Sequence, residues 1–247
     1  MLAIETKGDV RNHMTISSDD GLIHAGQSLF DLFRSPRLLD AVETFIGSEI
    51  YFSPVGHTRV KPPERLLPEE VLKNAAVGST FWHQDLGVTR EWMNEGKMLK
   101  VWIPMTEATV ENVCLIVVPS SQDGELARHC FTDTKTGIRT EALLPGAIPP
   151  SMEPGDVLFL DKMTMHCSGP NKNDAVRWSF DLRYVPMGQP TGRDWYPGFV
   201  ARSRANPEFE LKDAKVWGKA WKEAAERLAK YGSPISYRWD PEDPMCA

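Results

Sequence analysis

The cleanest polar–apolar pattern in the chain runs from Ala175 to Val185, where Arg177, Ser179, Asp181 and Arg183 alternate with Trp178, Phe180, Leu182 and Tyr184. Period two marks a strand with two unlike faces. The apolar face needs cover from helices. The polar face, on a strand enclosed on both sides, calls for a wet or functional cavity rather than bulk solvent. A longer period runs through Leu38, Leu39, Val42, Phe45 and Ile46, between Ser35-Pro36 and Gly47, and predicts a helix with one buried face. Trp217, Trp221, Ala224 and Leu228 repeat in the same way and predict a C-terminal helix over about 211–231, stopped by Gly232 and Pro234. We expect this helix and N-terminal helices over about 28–47 to cover the outer face of a sheet.

Further strands are predicted at Ile50–Phe52 and at Thr58–Lys61, which stops at Pro62-Pro63 because tandem proline cannot continue a ladder. Others are predicted at Lys97–Pro104, at Cys114–Pro119, and from Asp156 irregularly to His166. Ser120–Pro154 reads as mostly loop and Met187–Pro207 as loop. Pro62–Thr80, with one helical turn through Glu69–Leu72, reads as a lid or a disordered excursion ahead of the candidate site, the lid being favoured. No repeat divides the chain, so residues 1–247 are expected to form one domain.

Composition narrows the function. The net charge of −6 and pI near 5.6 speak against a nucleic-acid footprint. Arg90, Lys97 and Lys100 make a local basic cluster that reads as a solvated face. Cys114, Cys130, Cys167 and Cys246 lack zinc-type pairing and disulfide-scaffold density, so thiols in a reducing compartment are expected. Cys167 should pack on the strand face opposite His166. No apolar run has the length of a membrane span, and the N-terminus shows no signal-peptide core, so a cytoplasmic protein without membrane or nucleic-acid partners is expected.

The candidate chemistry starts at Phe81-Trp82-His83-Gln84-Asp85. In an extended strand His83 and Asp85 would share one face and Gln84 the other. Adding His166 gives two imidazoles and one carboxylate, a set that suits Fe(II) with positions left open. A hairpin from the His166 strand would bring Arg177 alongside. Its guanidinium is a permanent fork for a carboxylate.

These residues resemble the phytanoyl-CoA dioxygenase family of Fe(II)- and 2-oxoglutarate-dependent oxygenases. The resemblance runs from the N-terminal helix to about Arg204. It is strongest in Trp82-His83-Gln84-Asp85, in Val101–Pro104 through Ala108–Asn112, and in His166-Cys167-Ser168 with Arg177. It implies a mainly β fold with flanking helices around a double-stranded β-helix (jelly-roll, cupin-like) core. It implies that His83, Asp85 and His166 are the catalytic iron ligands, and that Arg177 binds the far carboxylate of 2-oxoglutarate. Gln84, Trp102, Ser168 and Lys61 would line the cosubstrate pocket. Two departures stand out: Val113 replaces the usual Gly after Glu111-Asn112, and Pro119-Ser120-Ser121-Gln122 replaces Pro-Gly-Ser-His. Val does not readily take a positive φ, so the first turn is expected to be rebuilt.

The resemblance further implies oxidation of an unactivated C–H bond of a small molecule with O2, yielding succinate and CO2. Asp85 directs that chemistry to hydroxylation, desaturation or oxidative cyclisation rather than halogenation. A monomer or homodimer is expected. The alternatives are a silent jelly-roll subunit and a cupin-like hydrolase or isomerase, which would leave Arg177 without a role.

Overall fold

In the computed structural model, the described residues are 26–72, 78–131, 136–193, 195–231, 238–240 and 242–246. The first elements are α1 (Gln27–Phe33) and α2 (Pro36–Ile46), the latter stopped by Gly47 at φ 93°. Strands β1 (Glu49–Phe52) and β2 (His57–Lys61) follow, then a single helical turn, α3 (Glu69–Leu72). Next come β3 (Thr80–His83), β4 (Leu99–Pro104), β5 (Ile116–Val117), β6 (His129–Phe131) and β7 (Thr136–Ile138). The chain continues through β8 (Leu158–Asp161), β9 (His166–Ser168), β10 (Arg177–Pro186), β11 (Phe199–Ser203) and α4 (Ala214–Tyr231).

One antiparallel sheet runs β11-β1-β10-β4-β8, with β2 also paired to β10; a second runs β3-β9-β5, and β6 pairs with β7. The ten-residue β10 is the spine, since β1 takes one end of its edge and β2 the other. Its two faces behave as its alternation predicts. Phe180, Leu182 and Tyr184 join Phe30, Phe33, Val42, Trp217 and Trp221 in the main core beneath α1, α2 and α4. Aromatic packing is dense there, with Phe33 stacked on Phe52 at 4.6 Å and Trp217 edge-on to both. The opposite face holds Arg177, Ser179, Asp181 and Arg183, all buried between the sheets. Enclosing four polar side chains is costly unless each finds partners or a ligand, so the site lies on this face.

Several expectations are corrected. Met187–Pro207 contains β11, and Ser120–Pro154, mostly loop among the described residues, also carries the short β6–β7 pair. Both were hidden because strands of three to five residues among turn formers carry little periodic signal. Arg177 and His166 do not share a hairpin: β10 belongs to the large sheet and β9 to the small one. The two side chains approach from opposite walls. Lys100 is buried rather than solvated, at 2% exposure. Cys130 and Cys246 form a disulfide across 116 residues, while Cys114 and Cys167 are buried thiols. A pair so far apart leaves no spacing signature.

The turn after Asn112 is kept, not rebuilt. Val113 takes φ 77° and Ser120 takes φ 61°, the two positions where the resemblance leads one to expect Gly. For a β-branched residue that conformation costs about 1–2 kcal/mol. Val113 is 4% exposed, and burying its methyl groups offsets that cost by about the same amount. Asn112 also fixes the turn, accepting from the Thr109 N–H at 2.7 Å and donating to the Glu107 carbonyl at 2.9 Å. Of the proposed lid, residues 73–77 lie outside the described residues.

Candidate metal and cosubstrate site

β3 and β9 pair so that His83 stands directly opposite His166, with ring centroids 4.2 Å apart. Asp85 is not on the strand. β3 ends at His83, and Asp85 opens a 3-10 turn over Asp85–Val88, which still delivers its carboxylate to the same spot. Asp85 Oδ1 lies 3.6 Å from His83 Nε2 and 3.7 Å from His166 Nε2. One ligand atom from each of the three buried residues falls within 4.8 Å of the others.

Hydrogen bonding fixes the tautomers. His83 Nδ1 is 2.8 Å from the Phe81 carbonyl and His166 Nδ1 is 2.8 Å from the Thr164 carbonyl. A carbonyl only accepts, so each imidazole carries a proton on Nδ1 and turns its Nε2 toward Asp85. Imidazoles held this way are ready metal ligands. His129 shows the contrast. Its Nδ1 donates to the Ala127 carbonyl, but its Nε2 accepts the Gln84 backbone N–H at 3.0 Å, so its lone pair is spent.

Two cations share the centre. Arg183 holds Asp85 with both ends of its fork, Nε to Oδ2 at 2.9 Å and Nη2 to Oδ1 at 2.8 Å. Lys100 Nζ sits 2.7 Å from His166 Nε2 and 3.7 Å from Asp85 Oδ1. Burial pushes the Asp85 carboxyl up, but Arg183 and then Lys100 hold it well below the usual carboxylate range. Burial, reinforced by Lys100, keeps His166 well below the ordinary imidazole range and therefore neutral. Burial also lowers Lys100, against the pull of Asp85 and Asp181. Farther along β10, Asp181 pairs with Arg59, which with Lys100 outweighs the burial that would raise its carboxyl. Removing one member of a buried pair such as Arg183–Asp85 typically costs about 3–5 kcal/mol.

A second cluster lies at the other end of the polar face. Arg177 and Lys61 are register partners on β10 and β2. Arg177 is fully buried over the Trp102 ring, 5.5 Å from its centroid, and donates from Nη1 to Ser179 Oγ at 2.6 Å. Its Nε and Nη2 have no hydrogen-bond partner among the described residues, nor does Trp102 Nε1. Burial lowers the Arg177 guanidinium to about 10, which still leaves it charged at neutral pH. Lys61 Nζ reaches across to Ser168 Oγ at 2.9 Å and to the carbonyls of Gly78 and Gly169, tying the large sheet to the small one. Buried donors left open beside a fixed cation suit a carboxylate.

Gln84 does not fit the expected role. Its side chain accepts from the Ala127 N–H at 2.8 Å and donates to the Met163 and Glu125 carbonyls, so its polar atoms are occupied away from the cluster. It anchors the junction between His83, at the end of β3, and the turn that Asp85 opens. Sequence reasoning did not select Lys100 or Arg183 as parts of this site. Arg183 carried a signal, since β10's alternation puts it on the polar face with Arg177. Lys100 carried none, because every residue of β4 is buried and its pattern does not alternate.

The two facing sheets, with two imidazoles, one carboxylate and a buried arginine turned inward, form a jelly-roll, cupin-like fold. The chain belongs to the phytanoyl-CoA dioxygenase family, whose model matches residues 4–179. It is 27% identical over 168 residues to a probable phytanoyl-CoA dioxygenase of Caenorhabditis elegans, a match that covers 64% of this chain and 50% of that protein. The chain thus spans about half the length of that curated relative. Among solved structures, the non-heme monooxygenase ThoJ in its apo form aligns with TM-score 0.57 and 18% identity, covering 81% of this chain and 76% of ThoJ. EvdO2 from Micromonospora carbonacea var. aurantiaca, complexed with 2-oxoglutarate, aligns with TM-score 0.53 and 22% identity, covering 75% of this chain and 70% of EvdO2. At these identities the two share the fold. No helix among the described residues is long and apolar enough to cross a membrane.

Proposed function

We propose that this chain is an Fe(II)- and 2-oxoglutarate-dependent dioxygenase that oxidises an unactivated C–H bond of a small molecule, with succinate and CO2 as coproducts. The observation that carries this reading is the convergence of two Nδ1-protonated imidazoles and the Asp85 carboxylate, opposite a buried arginine with open donors. Family membership supports it.

The donor set fits the implied groups. Two imidazoles and one carboxylate suit Fe(II) and leave positions open. His83 Nε2, His166 Nε2 and Asp85 would hold the metal. Arg177, with Trp102 as the wall behind it and Lys61 and Ser168 beside it, would hold the far carboxylate of 2-oxoglutarate. Bound there, Fe(II) with 2-oxoglutarate and O2 supplies the oxidising power for the C–H bond.

The residues of the chain do the rest. The Phe81 and Thr164 carbonyls hold both imidazoles in the ligating tautomer. Arg183 keeps Asp85 ionised and oriented. Lys100 must withdraw its ammonium from His166 Nε2 before that lone pair serves a metal. Retention of Asp85 favours hydroxylation, desaturation or cyclisation. Neither a silent subunit nor a hydrolase accounts for the buried, open donors of Arg177. The direct test is anaerobic titration of the protein with Mn(II) and then 2-oxoglutarate. Arg177→Met should leave metal binding intact and weaken 2-oxoglutarate binding roughly ten- to a hundredfold, as loss of a charge-assisted pair costs about 1.5–3 kcal/mol. Unchanged 2-oxoglutarate affinity would remove Arg177 from that role.

A further inference from the structure

Beyond Asp85 the interior opens into a cavity of about 530 Å³. Arg183 forms part of its wall while its fork holds Asp85, so the cavity begins at the back of the metal cluster. Arg90, Arg193 and Arg238 also line it, together with the rings of Trp195 and Trp239. Among the described residues no Asp or Glu lines it. Four guanidinium groups thus gather in one concave site of a chain whose net charge is −6.

Their partners leave capacity for a ligand. Arg183 is engaged with Asp85 and the Val55 carbonyl. Arg90 stacks between Trp92 and Trp195, with its guanidinium carbon 5.6 Å and 5.2 Å from their centroids. Arg238 gives one nitrogen to Asn94 Oδ1 at 2.5 Å, while its Nη1 is buried without a hydrogen-bond partner. Arg193 has no side-chain hydrogen bond or ion pair with a described residue. Burial lowers its guanidinium against the pull of Tyr196, and Arg183 and Arg90 nearby lower it further. Trp239 is fixed by its own contacts, Nε1 to the Gly87 carbonyl at 2.7 Å and a stack on His129 at 5.5 Å, so its ring is a stable wall.

We infer that the substrate of this site is a planar organic anion: a flat ring system carrying phosphate, sulfate or carboxylate. The oxyanion is held by Arg193 and Arg238 and the ring lies against Trp195 and Trp239. Guanidinium groups bind oxyanions through paired N–H donors, and indole faces take flat rings. A concave, partly apolar site of this size accommodates such a molecule. The assignment rests on the oxygenase reading only for what happens after binding. Binding itself stands on the cavity.

The test uses the full chain and two probes, 2-naphthyl phosphate and the neutral 2-naphthol, followed by isothermal titration and tryptophan fluorescence. The phosphate should bind at least tenfold tighter than the naphthol and quench tryptophan emission. Arg193→Gln should weaken it about tenfold, and Arg193→Lys should restore part of the loss. Both variants should keep the Mn(II) and 2-oxoglutarate affinities of the parent, which also shows that they fold. Arg177→Met should leave naphthyl phosphate binding unchanged. Equal affinity for the two probes, no effect of Arg193→Gln, or competition by 2-oxoglutarate together with loss in Arg177→Met would overturn the assignment. Failure to bind Mn(II) and 2-oxoglutarate with naphthyl phosphate binding intact would overturn the oxygenase reading and leave this one standing.

Discussion

Lys100 Nζ lies 2.7 Å from His166 Nε2, on the lone pair that a metal would use. The lysine comes from β4 in the large sheet and the histidine from β9 in the small one, so the two walls of the jelly roll meet through this contact. A metal at His83, Asp85 and His166 therefore competes with a cation that belongs to the chain.

Removing that cation should tighten metal binding. Lys100→Met retains the stem's volume and removes the ammonium, while Arg183 still orients Asp85. A hydrogen bond involving a charged group contributes about 1.5–3 kcal/mol, so Mn(II) affinity should rise roughly ten- to a hundredfold. Calorimetric titration of the two proteins checks it, and equal affinities would mean that Lys100 does not contend for the seat.

His129 gives the fold an acid-sensitive point outside the metal ligands. Burial lowers its imidazole to about 4 from an ordinary 6.5, so the folded state favours the neutral ring. Between those values the unfolded chain binds the extra proton. The stability from the neutral ring is complete above about pH 6.5 and drains away as pH falls toward 4, on the order of 3 kcal/mol at the limit. His129→Asn should be much less stable than the parent at pH 7.5, with the gap closing toward pH 4.5 in urea denaturation. A gap that stays constant with pH would contradict this origin.

Ser120 holds φ 61° on the exposed surface, where its side chain gains little from burial. Ser120→Gly should raise stability by about 0.5–1 kcal/mol, read as a higher urea midpoint at unchanged slope. Val113 has the same backbone sign but a buried side chain, so glycine there should not give the same gain.

The Cys130–Cys246 disulfide ties the C-terminal segment to the hairpin beside His129. Protein denatured without reductant should therefore titrate with two thiols, those of Cys114 and Cys167. Four reactive thiols would contradict the pairing.

What the sequence disclosed follows physical lines. The alternation of β10 announced both the helix-covered core and the inward polar face, because a strand between two packed layers must sort its side chains by face. The short β6, β7 and β11 escaped, since three to five residues seldom outvote neighbouring turn formers. His83, Asp85 and His166 were legible as types and spacing. Their convergence needed the β3–β9 register, and Asp85 reaches it from a turn rather than a strand. Lys100 was invisible because nothing local distinguishes a buried lysine on an all-buried strand from a solvated one. Gln84 looked like a site residue because of its neighbours, yet its amide is used in holding the strand-to-turn junction between them.

The measurement closest to the central claim is succinate release on adding O2 to protein loaded anaerobically with Fe(II) and 2-oxoglutarate, with and without the naphthyl phosphate probe. The proposed function predicts succinate and CO2 in equal amounts from the parent protein, and loss of both in His166→Ala and Asp85→Ala. Succinate that persists at the parent level in those variants, or that never forms in a parent shown to bind metal and 2-oxoglutarate, would contradict it.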